Sequence, residues 1–368
     1  MRKYDIAAYI WPAYTGQEDR TRIFWPDGIG EWQTVKLEHK NEAENYEWSR
    51  KPVWGYVDEA DPGVMEMQIE EAIRHGVNVF IYDWYWYDDR PFLENCLNDG
   101  FLKASNCNKM KFYLMWANHD ATYCWDRRIS SESDTVVWRG DVTQEQFKKI
   151  GRRWIDQYFK LDNYYKVDGK PLVSIYDLGN FINGLGGIDK AKECMDWLRR
   201  EAQKEGIPGV HFQLIKWGEQ NLNLSGVDAG EKPVEPALVE PLGFESLTHY
   251  QIVHYMDVNR DYLEIIEDMK KEWDHVIGTY QIPYSPHVSI GWDNNPRYRK
   301  FRPQIVKNNT PENFEKALQA AKEFADAHCK IPLITINSWN EWTETSYLEP
   351  DNVYGYGYLE AVKKVFAE

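Results

Sequence analysis

Apolar runs of about five residues alternate with amphipathic stretches along this whole chain. The first run is Asp5–Ile10. The second, Val77–Tyr82, is nearly all apolar, as a parallel strand covered on both faces requires. Ahead of it, Asp61-Pro62 offers a cap and a proline at the first helical position. Met65, Ile69, Ala72 and Ile73 then form one stripe, which Gly76 ends. The third run is Lys111–Ala117. A helix near Gln144–Tyr158 follows, with Thr143 and Gln146 as capping box and Phe147, Ile150, Trp154 and Ile155 on one face. The fourth run is Pro171–Tyr176, succeeded by a helix over about 190–204, and the fifth is Val210–Ile215. A short sixth falls near Ser246–Tyr250, ahead of a helix carrying Tyr262, Ile265, Ile266 and Met269. Val276–Tyr280 is the expected seventh run, with Val288–Ile290 competing for the place. A helix after Pro311 carries Phe314, Ala317, Leu318 and Ala321. The eighth run, Pro332–Asn337, is the clearest, and a helix over about 358–367 closes the count.

Runs alternating with helices argue for parallel β/α units. Eight of them predict an α/β fold of one kind, a (β/α)8 TIM barrel spanning 1–368 as a single domain. The aperiodic stretches Tyr14–Asp58, 118–142 and 217–243 become elaborated loops on the catalytic face. No GxGxxG or Walker loop is present, so neither device for binding nucleotides has support.

Composition narrows the partners. The formal net charge of −16 repels phosphate backbones and anionic lipid surfaces, so neither nucleic acid nor membrane insertion is expected. No apolar run is long enough to span a bilayer. The first residues do not resemble a signal peptide, which leads to an expectation of cytoplasm, or of periplasm or secretion had a leader been removed. The five cysteines, at 96, 107, 124, 194 and 329, include no CxxC pair, so neither a disulfide framework nor a cysteine metal site is expected. Oligomeric state is not legible. The chain has 17 Trp and 24 Tyr, many in polar surroundings. A cleft with aromatic faces and polar edges suits a sugar, and core packing is the alternative use of such rings.

In a barrel, chemistry gathers at the C-terminal strand ends. Those ends read Asp83-Trp84, then Trp116 to Asp120, Asp177, Lys216-Trp217, His249-Tyr250, Trp292-Asp293-Asn294, and Asn337 onward into Trp339-Asn340-Glu341-Trp342-Thr343-Glu344. The last is the strongest signal. Glu341 and Glu344 lie three residues apart and so share one side of a turn. The flanking Trp339 and Trp342 are expected to exclude water and raise a carboxyl's pKa, as a general acid at neutral pH needs. The other reading is a pair of solvated loop charges.

At this segment the chain resembles glycoside hydrolase family 99, the endo-α-mannosidases and endo-α-mannanases. It resembles still more the family 99-like WbsX-type proteins found in polysaccharide gene clusters. The shared pattern includes 28–32, 54–86, 114–118, 167–173, 291–297 and 339–361. The resemblance implies a (β/α)8 barrel and a retaining hydrolase that uses no metal or cofactor. It makes Glu344 the general acid/base and gives Glu341 the neighbouring 2-hydroxyl. Such a route needs O2 and the leaving group to be trans, as in α-mannosides and α-rhamnosides, and passes through a 1,2-anhydro sugar. The alternatives are a glycosyltransferase in polysaccharide biosynthesis and an inactive carbohydrate-binding barrel. The chain departs from the pattern at His119-Asp120 and at Thr343 and Thr345, where substrate would bind, which leaves the sugar open.

The expected substrate-binding residues are Glu31, Trp32, Asp83, Trp84, Trp86, Trp116, Asn118, His119, Trp292, Asp293, Trp339 and Asn340. Asp83 reads equally as a sugar anchor or a helix cap, and Glu31 as a site residue or a loop brace. Arg297 is expected in a salt bridge rather than on an acidic sugar. No metal is expected at His249 and His254.

Overall fold

The computed structural model describes residues 3–16, 18–37, 46–130, 133–217, 224 and 235–366. Eight parallel strands form the central sheet: β1 (Asp5–Ile10), β2 (Val79–Tyr87), β3 (Lys111–Trp116), β4 (Lys170–Ile175), β5 (His211–Ile215), β6 (Ser246–Thr248), β7 (His287–Ser289) and β8 (Leu333–Asn337). The order is β6-β5-β4-β3-β2-β1-β8-β7. A parallel bridge between Leu247 and Tyr284 brings β6 against the segment leading into β7 and closes the barrel. Apart from single residues at the starts of β1, β3 and β4, the strands are buried throughout, so they read as continuous apolar runs.

The connecting helices are α1 (Pro62–Arg74), α2 (Gln144–Trp154), α3 (Leu178–Leu185), α4 (Ile188–Lys204), α5 (Glu235–Leu242), α6 (Tyr262–Thr279), α7 (Pro311–His328) and α8 (Gly357–Phe366). Asp61 caps α1, accepting from the backbone of Gly63 at 2.7 Å. Thr143 and Gln146 form the reciprocal capping box of α2. Between β2 and β3 the crossover is made of short helical turns within Cys96–Lys109.

Three expectations are corrected. Val276–Tyr280 is not a strand, because Ile265, Ile266, Met269, Trp273 and Val276 continue one buried helical stripe through α6. The seventh strand is β7, which coincides to within one residue with the competing Val288–Ile290. Strand β2 does not end at Asp83-Trp84 but runs on to Tyr87 and pairs antiparallel with Arg90–Phe92, so the aromatic run Trp84–Tyr87 belongs to the strand. Finally, 217–243 contains α5, while 218–223 and 225–234 lie outside the described residues. No helix among the described residues is long and apolar enough to cross a membrane.

Candidate active site

The chain leaves β8 through a two-residue ladder, Asn340-Glu341 paired with Ser346-Tyr347, and a 3₁₀ turn over Trp342–Glu344. Side chains three apart in such a turn eclipse one another, which puts both carboxyls on one side. Thr345, at φ 54°, ends the turn, and the Ser338 hydroxyl accepts from the backbone of Glu341 at 2.7 Å.

Both carboxyls meet Arg297, which follows β7. Its Nη2 lies 2.6 Å from Glu341 Oε1, and its Nη1 lies 2.8 Å from Glu344 Oε1. Its Nε and Nη2 reach Glu31 at 2.9 and 3.3 Å. Glu31 also accepts from the Trp11 indole at 2.5 Å. One guanidinium thus joins three buried carboxylates from the N-terminal loop and the β8 loop. Burial pushes the pKa of Glu341 well up, and the neighbouring Glu344 adds to the shift against Arg297. Burial also raises Glu344, again opposed by Arg297. One cation thus stands among three acids in a dry space, which favours retention of a proton by the neighbouring Glu341 and Glu344.

Arg297, Glu341 and Glu344 face a cavity of about 280 Å³ at the C-terminal end of the barrel. Trp11, Tyr85, Trp125, Tyr176, Trp217 and Tyr250 supply its aromatic walls. Asp83 stands at its side, accepting from Tyr250 at 2.9 Å, and burial drives its carboxyl well above the usual range. The same phenol is 3.4 Å from Glu341 Oε2. Among the described residues, Asp83 Oδ1 has no hydrogen-bond partner. His119 lines the wall with its pKa lowered by burial. His254 stacks on Trp217 at 4.2 Å, and burial pushes it down to about 3, so both rings are neutral.

Of the expected residues, Glu341, Glu344, Asp83 and His119 come together in the cavity wall, and Glu31 joins them through Arg297. Others do not reach it. Side chains alternate along a strand. Asp83 and Tyr85 therefore point in, while Trp84 and Trp86 stack on each other outside, and the Trp84 indole donates to Glu94 at 2.7 Å. Trp116 likewise turns outward onto Trp154 and Phe181, leaving Met115 and Ala117 inside. Asn118 ties the β3 loop to Asp177, with both of its bonds at 2.7 Å. Trp32 packs on Tyr14 and Trp342 in the N-terminal loop.

Trp339 and Trp342 are also turned away from the cavity. The Trp339 indole donates to Gln68, and the Trp342 indole to Glu349. The desolvation of the two acids therefore comes from Trp11, Tyr85, Tyr176 and Tyr250 and not from their sequence neighbours. Asn340 bridges the backbone of Trp11. Asp293 accepts from Tyr46 and Asn295, and its backbone N–H bonds the carbonyl of Glu344, so it aligns the turn that carries Arg297. Trp292 is half-buried beside that turn, outside the cavity wall.

Arg297, Tyr85, Tyr176, Trp217, Tyr250, Trp11 and Trp125 were not among the expected site residues. Period-two alternation along β2 was the signal that could have found Tyr85. The expected salt-bridge use of Arg297 agrees with the contacts, but its partners are the site's own acids. His249 bonds Tyr284 behind the barrel wall.

A family model described as Glycosyltransferase WbsX matches residues 6–362. Protein WxcX of Xanthomonas campestris pv. campestris is 25% identical over 345 residues, covering 93% of this chain and 46% of that protein. The chain spans about half the length of the curated relatives it matches. Among solved structures, the GH99 endo-α-mannosidase from Bacteroides thetaiotaomicron aligns with a TM-score of 0.60 at 13% identity, covering 98% of this chain and 95% of that one. A glycoside hydrolase-like protein aligns at 0.60 and 14% identity, covering 100% and 94%. At such identities the likeness is one of fold.

Proposed function

The chain belongs to the family described as Glycosyltransferase WbsX, and from that premise we propose that it turns glycosyl chemistry to hydrolysis, as a retaining glycoside hydrolase acting on trans-1,2 linkages of the α-mannoside or α-rhamnoside kind. The observation that carries this reading is the single arginine bonded to both acids of one 3₁₀ turn. Burial raises Glu341 more than Glu344, and the route starts from the arrangement in which the proton of this coupled pair sits on Glu344 and Glu341 is the carboxylate. Glu341 takes the proton of the sugar 2-hydroxyl, O2 attacks C1, and the C1–oxygen bond breaks as Glu344 protonates the departing oxygen. In the second step water attacks C1 of the 1,2-anhydro sugar and the C1–O2 bond breaks. Glu344 takes the water proton, and Glu341 returns its proton to O2. One negative charge moves from Glu341 to Glu344 and back, and a different guanidinium nitrogen meets it at each end. That stabilises the displaced charge without any reorganisation of the site. Two acids on one turn suit this route better than a conventional pair, which flanks the bond from opposite faces about 5–5.5 Å apart.

The family's description names a transferase, so that reading is tested alongside. A nucleotide sugar would bring its diphosphate to a wall where, among the described residues, Arg297 is the cation and already faces three acids. The test incubates wild type, Glu344→Gln and Glu341→Gln with polysaccharides and aryl glycosides of manno, rhamno and gluco configuration. Release by wild type is expected on trans-1,2 substrates, lowered by about 10²-fold or more in each variant. Equal release by wild type and variants would refute the site. Silence across the panel followed by turnover once a nucleotide sugar is added would make the protein a transferase.

A further inference from the structure

On the far side of the catalytic segment from the cavity lies a second group of buried acids that the chemistry above does not use. Glu59 is 0% exposed and Glu349 2%. Gln68 of α1 spans them, its Nε2 donating to Glu59 Oε1 at 3.2 Å and to Glu349 Oε1 at 2.9 Å. The Gln68 carbonyl accepts from the Trp339 indole at 3.0 Å. Glu349 Oε2 accepts from the Trp342 indole at 2.5 Å. Glu59 accepts from Asn340 Nδ2 at 2.9 and 3.1 Å. Three of the four residues at 339–342 thus end in this cluster, and the fourth is Glu341. The same Asn340 amide accepts from Trp11 N–H at 2.8 Å and donates to Trp11 O at 2.9 Å, and Trp11 holds Glu31. The cluster therefore reaches both ends of the Arg297 network.

Its make-up is unusual for a core. The donors to the two acids are amides, an indole and, 3.8 Å from Glu59, the Cys96 thiol. Asp58, Cys96, Tyr82 and Tyr14 are the other titratable groups near Glu59, and the charge of Glu59 adds to the rise of Glu349. Among the described residues no cation contacts either acid. An apolar filling of this volume would cost less. What the acids and amide add is direction, because each acceptor fixes an indole that an apolar wall would leave free to turn. Burial pushes Glu59 up to about 7 and Glu349 well above the carboxylate range, so the pair keeps a proton at neutral pH.

We propose that Glu59, Gln68 and Glu349 are positioning residues, which orient Trp339, Asn340 and Trp342 and thereby hold Glu341 and Glu344 in register on Arg297. The rate consequence rests on the hydrolase reading above, whereas the structural one does not. Ionisation of Glu59 beside a Glu349 that keeps its proton places one charge in a dry space, next to the Gln68 and Asn340 amides that tie Glu59 to the acceptor of Trp342.

The test follows the indole N–H resonances of Trp339 and Trp342 in the full chain, labelled with ¹⁵N-tryptophan and assigned with Trp339→Phe and Trp342→Phe. In wild type the Trp342 signal is expected to titrate with a midpoint near the Glu59 value of about 7, and in Glu59→Gln and Glu349→Gln that titration is expected to vanish. A signal indifferent to pH in wild type, or the same titration in both isosteric variants, overturns the proposal whether or not any glycan is cleaved. Where glycan release is measurable, Gln68→Leu is expected to lower kcat by about tenfold or more with KM nearly unchanged, since misplacement by a fraction of an ångström acts on the chemical step. An unchanged kcat in a Gln68→Leu protein that melts cooperatively also overturns it. Absence of release by wild type would sink the hydrolase reading alone, and the resonances would still decide this one.

Discussion

Replacing Arg297 by Met keeps much of the side chain's bulk and removes the guanidinium from Glu31, Glu341 and Glu344. Breaking a buried ion pair from one side costs about 3–5 kcal/mol, because the remaining charge is left without a partner. Here three acids are left. They escape part of the penalty by taking up protons, and that makes the loss depend on pH. Burial already holds Glu341 and Glu344 above their ordinary value, and the opposing pull of Arg297 is what limits the rise. Without it their folded values climb further. The folded state then binds more protons than the unfolded chain at every pH between the ordinary carboxylate value and the new folded one. Stability therefore falls as pH rises through that window. The variant loses least near pH 5 and most near pH 8. Unfolding entropy of roughly 2.1 cal/mol/K per residue gives about 0.8 kcal/mol/K for 368 residues. The full penalty at pH 8 then lowers Tm by about 4–6 °C, and the drop at pH 5 is expected to be about half of that or less. Differential scanning calorimetry of wild type and variant at the two pH values checks this without any substrate. A drop of equal size at both, or a larger one at pH 5, would refute the view that Arg297 is the counter-charge of these acids.

Other outcomes follow from the same geometry. Trp217→Ala removes the ring that stacks on His254 and donates to Tyr176 O at 2.9 Å, and is expected to weaken binding of a cleaved glycan by up to about tenfold in calorimetric titration. Trp84→Phe takes a donor from the buried Glu94, which also binds Arg153 and Tyr158; denaturant unfolding should show a loss of about 1–3 kcal/mol, with KM for glycan unaltered because Trp84 lies behind the barrel wall. Thr143→Ala removes the α2 capping box and should cost about 1 kcal/mol in the same assay, with no pH dependence.

Much of the barrel was legible because its signals are local. Five-residue apolar runs, the Asp61-Pro62 and Thr143–Gln146 caps and the stripes of α1, α2 and α7 all depend on neighbours within a few positions. The error at Val276–Tyr280 came from a short apolar run whose period cannot be told from a helix without its upstream stripe. The candidate acids were legible for a similar reason, since a spacing of three places two side chains on one side of any tight turn.

The walls around those acids were another matter. Whether Trp84 or Tyr85 faces the cavity depends on the phase of β2 against β1 and β3, a matter of register in which one residue's shift exchanges the two faces. The gathering of Glu31, Arg297, Glu341 and Glu344 spans 266 positions between Arg297 and Glu31 alone, and no local pattern encodes it. The sequence by itself determined the alternating elements and the paired carboxyls, because hydrogen bonding and side-chain period act over one turn or one strand. Only closure of the barrel decided which aromatic rings dry those carboxyls and which arginine meets them, because burial and charge pairing are set by distance in space.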